Sequence, residues 1–61
     1  MLYIVKVHEG DTLHEYEYCL PEHAYAHLHW EKYPAELYAY RNGEESLIET
    51  NTQKMSRHPG R

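Results

Sequence analysis

The chain has 61 residues, a formal net charge of −4 and a single cysteine. A chain this short builds one domain and buries only about 60% of its unfolded surface, so its core is small and a partner subunit would help it. Cys19 alone excludes an internal disulfide and points to a reducing cytoplasm. No apolar run approaches the ~20 residues of a membrane span, and the opening MLYIVKVHEG lacks a basic leader before a long apolar core, so neither secretion nor membrane insertion is expected.

Residues 1–53 hold three cations, Lys6, Lys32 and Arg41, against all ten carboxylates, a net of −7. The remaining eight residues carry Lys54, Arg57 and Arg61, a net of +3. An acidic body argues against direct nucleic-acid binding, which needs clustered Lys and Arg to release counterions from phosphates. Seven tyrosines and no phenylalanine form the oddest feature of the composition. Tyrosine buries a large ring yet leaves a hydroxyl to satisfy, which suits half-buried positions and interfaces.

Met1 to Val7 is the most apolar segment, with Ile4, Val5 and Val7 as strong strand formers. Glu9-Gly10-Asp11 signals a turn, and Thr12 to Leu20 alternates, so the pair reads as a hairpin closed by Gly10-Asp11 in a type II′ turn. That register sets Val7 against His14, Val5 against Tyr16, Tyr3 against Tyr18 and Met1 against Leu20, all on one core-facing side. On the other side Lys6 faces Glu15, a favourable cross-strand pair.

Pro21 to Pro34, PEHAYAHLHWEKYP, reads as the one helix. Pro21 suits the first helical position, Glu22 and Lys32 complement the macrodipole, and Pro34 ends the helix at Tyr33. On a wheel, Leu20, Ala24, Ala26, Leu28 and Trp30 fall within an arc of roughly 200°.

Ala35 to Arg41 and Glu45 to Thr50 flank Asn42-Gly43, the strongest short hairpin signal. A two-residue loop pairs Tyr38 with Leu47 and Leu37 with Ile48 but sets Glu36 against Glu49. A three-residue loop pairs Leu37 with Leu47 and relieves that repulsion. The predicted fold is therefore α+β, ββαββ, a four-stranded antiparallel sheet in order 2-1-3-4 with one helix packed on one face. Residues 1–50 form the compact domain, and 51–61 read as a flexible basic tail.

Three constellations could carry function. His23, His27 and Glu31 stand at i, i+4, i+8 on one helical ridge, a spacing that could bind Zn²⁺. The bland alternative puts His27 at the core margin, bonded to Tyr16 or Glu31, with His23 solvated; no other cofactor is expected. Cys19 lacks any accompanying oxyanion or phosphate loop and reads as a half-buried structural residue rather than a nucleophile. Tyr38 and Tyr40, on the outer face of the second hairpin near Glu36, with Tyr25 and Tyr33 on the helix's polar side, resemble a protein-recognition surface.

The expectation is a small non-catalytic protein-binding module that occludes a partner protein. Short acidic single-domain chains are common among phage and mobile-element accessory products, which favours an inhibitor or adaptor, with a homodimer to supplement the small core. The competing expectations are a Zn²⁺-binding protein using the histidine ridge and an acidic nucleic-acid mimic. Lys6, Lys32 and Arg41 interrupt the carboxylate rows that a mimic needs.

Overall fold

The structure, a computed structural model, describes residues 1–51. Its elements are β1 (Leu2–Glu9), β2 (Thr12–Tyr18), α1 (Pro21–Trp30), β3 (Ala35–Arg41) and β4 (Glu44–Thr50). The four strands form one antiparallel sheet in order β2-β1-β3-β4, as the sequence predicts, with the most apolar strand inside.

Both hairpins follow their turn residues. Gly10 has φ 62°, and the β1–β2 register runs from Glu9 opposite Thr12 to Tyr3 opposite Tyr18, matching the expected pairing. Beyond Tyr3 the ladder stops, and Met1 and Leu20 are exposed instead of closing the core. Asn42 at φ 53° and Gly43 at φ 81° give the two positive values of a type I′ turn. The second register follows the two-residue solution next to the turn and departs from it further along. It begins as a two-residue loop, with Tyr38 opposite Leu47, then shifts by one residue so that Leu37 faces Glu49 and Glu36 faces Thr50. The bulge at Ile48 removes the Glu36–Glu49 opposition and brings Asn51 against Ala35.

The core lies between α1 and one sheet face. Val5, Val7, Ala35 and Leu37 from the central strands meet Ala24 and Leu28 from the helix, and half-buried Tyr3 and Tyr18 pack at its margin. Tyr16 shares that face, as expected, yet is 43% exposed, because β2 is an edge strand that the helix only partly covers.

The helix is shorter and more narrowly buried than the sequence suggests. It ends at Trp30, and Glu31 has extended geometry, φ −73° and ψ 130°. Only Ala24 and Leu28 are buried, one end of the broad apolar arc, while Ala26 and Trp30 are exposed. A single sheet face meets one stripe of a three-turn helix, so the rest of the arc faces solvent. The chain leaves the helix early because Asn51 holds the connector. Its Nδ2 donates to the carbonyls of Tyr33 (3.0 Å) and Glu31 (3.4 Å), and its Oδ1 accepts from Ala35 N–H at 2.8 Å. Asn51 is 6% exposed, so the packed part includes a residue that the sequence assigns to the tail. The rest of that tail, 52–61, lies outside the described residues.

Candidate functional site

The side of the sheet away from α1 (the open face) is defined by the register. From β2 it takes Leu13, Glu15 and Glu17, from β1 Leu2, Ile4, Lys6 and His8, from β3 Glu36, Tyr38 and Tyr40, and from β4 Glu45 and Leu47. Adjacent rows place Glu17, Ile4, Tyr38 and Leu47 abreast, then Leu2, Tyr40 and Glu45. An apolar strip of Leu2, Ile4, Tyr38, Tyr40 and Leu47 thus crosses three strands, and among the described residues no element packs on it.

Exposure along the strip is graded. Ile4 is 6% exposed although it faces away from the helix, Tyr38 is half-buried, and Tyr40 and Leu47 stand at 39% and 57%. Lys6 lies over one ring of the strip. Its ammonium does not pair with Glu15 as the register alone implies. It crosses Tyr38, lying 4.6 Å from the ring centroid, and bonds Glu45 Oε1 at 2.7 Å. That path adds a cation–π contact to the ion pair, and an opposite Glu15 offers only the charge. The Glu45 bond holds the Lys6 ammonium above its usual range, offset by partial desolvation and aided by the charges of Glu45 and Glu15. Beside it His8 Nε2 meets Glu36 Oε1 at 2.7 Å, so the expected contact residue Glu36 is already engaged within the chain. Glu17 makes no side-chain hydrogen bond or ion pair among the described residues and stands directly beside Ile4.

The five expected contact residues therefore separate. Tyr38, Tyr40 and Glu36 share the open face. Tyr25 is on α1 and Tyr33 in the connector, 38% and 41% exposed, on the other side of the molecule. There Tyr25, Leu28, His29, Glu49 and Asn51 line a shallow cavity of about 190 Å³. Trp30, 80% exposed and edge-on to His29 at 5.0 Å, is the most exposed large hydrophobic side chain among the described residues. Leu2, Ile4 and Leu47 also belong to the open face, beyond the contact residues that the sequence predicts. Strand alternation carries that signal for Leu2 and Ile4, once the face toward the helix is known.

The histidine ridge resolves into a clamp. His27 Nε2 meets Glu31 Oε1 at 2.7 Å, and Nδ1 meets the Tyr18 hydroxyl at 2.7 Å, with the Tyr16 ring edge-on at 4.7 Å. An Nε2–H donated to the carboxylate leaves Nδ1 to accept the phenol proton, so every polar group has a partner. Burial pushes the Tyr18 phenol up, and Tyr16 and Glu31 add to the shift. Glu31 also accepts from Tyr33 N–H at 3.3 Å. His23 is exposed and does not join them. Among the described residues no group of three or more His, Cys, Asp or Glu is placed to hold a metal ion. Cys19, expected to be half-buried, is exposed just past the end of β2, where the ladder no longer covers it.

This is a four-stranded antiparallel sheet with one covered and one open face. Comparison of the chain with protein-family models, curated proteins and solved structures finds no match. Among the described residues no helix is long and apolar enough to cross a membrane.

Proposed function

We propose that this chain is a small protein-binding module that works by covering a surface of another protein with its open sheet face. It acts sterically, as an inhibitor or adaptor in a reducing, cytoplasmic setting, without catalysis of its own. The observation that carries this reading is the strip of Leu2, Ile4, Tyr38, Tyr40 and Leu47, with Leu47 57% exposed and Tyr40 39% exposed at its end. Contiguous apolar surface ringed by charge is what protein interfaces use, and tyrosine is prominent among residues that dominate binding energy.

The Tyr18–His27–Glu31 chain supports the non-catalytic part. The clamp joins β2, α1 and the connector, which is a structural task.

Affinity capture from the native host with immobilised wild-type protein and with two double variants tests the reading. Tyr40→Ser with Leu47→Ser should lose the retained protein, whereas Tyr25→Ser with Trp30→Ser should keep it. Retention lost only by the second pair would move the binding surface to the helix side and overturn the proposal.

A further inference from the structure

We infer that the open face is built for a cationic protein partner, an apolar ridge flanked by Lys or Arg, and not for a second copy of this chain. The inference rests on the protein-binding reading of that face and names the chemistry of its occupant. Among the described residues the face carries four carboxylates, Glu15, Glu17, Glu36 and Glu45, against one ammonium, Lys6, with His8 as its only other titratable nitrogen: a net of −3 with His8 neutral. Lys6 is already committed to Glu45 and His8 to Glu36. A second copy laid on the face, whichever way a two-fold axis runs, brings −3 against −3, with no uncommitted cation on either face among the described residues. Like charges brought together at an interface are a strong selector against that partner.

The placement of the charge is as telling as its sum. Glu17 stands in the same row as Ile4 and Tyr38, at the margin of the apolar strip, and has no partner among the described residues. Covering the strip with an uncharged surface would strip water from that carboxylate without replacing its hydrogen bonds. A guanidinium or ammonium beside an apolar group satisfies both demands at once: the apolar part meets Leu2, Ile4 and Tyr40, and the cation meets Glu17 and its neighbour Glu15. The edges agree with this choice. Both edge strands carry carboxylates on the open face, Glu15 and Glu17 on β2 and Glu45 on β4, so the apolar strip has an acidic rim on two sides.

The test uses three synthetic peptides as probes, alternating Leu-Lys, alternating Leu-Glu and alternating Ser-Lys, with the full chain, followed by NMR of the Leu and Ile methyls and backbone amides. Sedimentation across a concentration series of the protein alone accompanies it. The Leu-Lys peptide should shift the methyls of Leu2, Ile4 and Leu47, weakening as salt is raised, and the other two peptides should bind far less. Glu15→Lys with Glu17→Lys should weaken the Leu-Lys complex by at least about tenfold, while Glu22→Lys on the helix should leave it near wild type. Equal binding of Leu-Glu at the same methyls would overturn the cationic partner and leave the protein-binding face standing. Shifts confined to β2 amides or to the helix side would overturn both. A concentration-dependent dimer that shifts the open-face methyls would assign the face to a second copy and overturn the inference.

Discussion

On the helix side of the sheet Val5, Val7, Ala35 and Leu37 are at most 3% exposed, whereas on the open side only Ile4 falls below a tenth. The same central strands supply both sets, alternating residue by residue. The helix side closes with two helical side chains, Ala24 and Leu28, and needs no charge within it. On the open side the Lys6 ammonium lies over the Tyr38 ring and is held there by Glu45. One face is sealed by packing, and the other carries an ion pair over its aromatic ring and keeps apolar side chains exposed. This difference is what makes the open side the candidate for binding.

The comparison breaks most easily at its sealed side. Leu37→Ala removes a fully buried side chain and should cost about 2–5 kcal/mol. Tyr40→Ser, at the exposed end of the strip, should cost less than about 1 kcal/mol. Urea titration of both variants checks the contrast, and equal losses would mean that the open strip is core rather than interface.

Asn51 ties the connector to the sealed side, so Asn51→Ala comes next. It strands the Ala35 N–H and frees the carbonyls of Glu31 and Tyr33, a loss of about 1–3 kcal/mol. Amide exchange should quicken first at Ala35, and unchanged protection there would show that the side chain does not hold the connector. Gly43→Val should cost at least about 1 kcal/mol through backbone strain at φ 81° alone, because an added Cβ meets nothing within 4 Å. An unchanged melting temperature would remove the type I′ assignment.

The smallest effect separates the faces by pH. Lys6 on the open side and Tyr18 on the helix side both titrate above their ordinary values of 10.5 and 10.0. For each, the unfolded state loses its proton first as pH rises. Each contribution is therefore full below the unfolded value and is lost as pH climbs through the folded one. Melting temperature should hold to about pH 9.5 and then fall. Lys6→Met and Tyr18→Phe should each flatten part of that fall, and a double variant as steep as wild type would show that neither group is the source.

Much of the fold is legible in the residues themselves. Gly10 and Asn42-Gly43 dictate their turns through positive φ, two-residue alternation sorts each strand's side chains between faces, and Pro21 sets where the helix begins. These are local rules, satisfied within a few residues of chain, and they extend to placing Tyr38 and Tyr40 together on the open face. What the tertiary structure alone decides involves residues distant in sequence. The Ile48 bulge keeps Glu36 and Glu49 from facing each other and brings Asn51 to Ala35, the early helix end goes with the same Asn51, and Lys6 meets Glu45 rather than Glu15 because β3 sets Tyr38 in its path. Trp30 shows the limit of periodicity most plainly: a wheel counts apolar positions, but which stripe is buried depends on the one sheet face the helix meets, and that face holds Ala24 and Leu28.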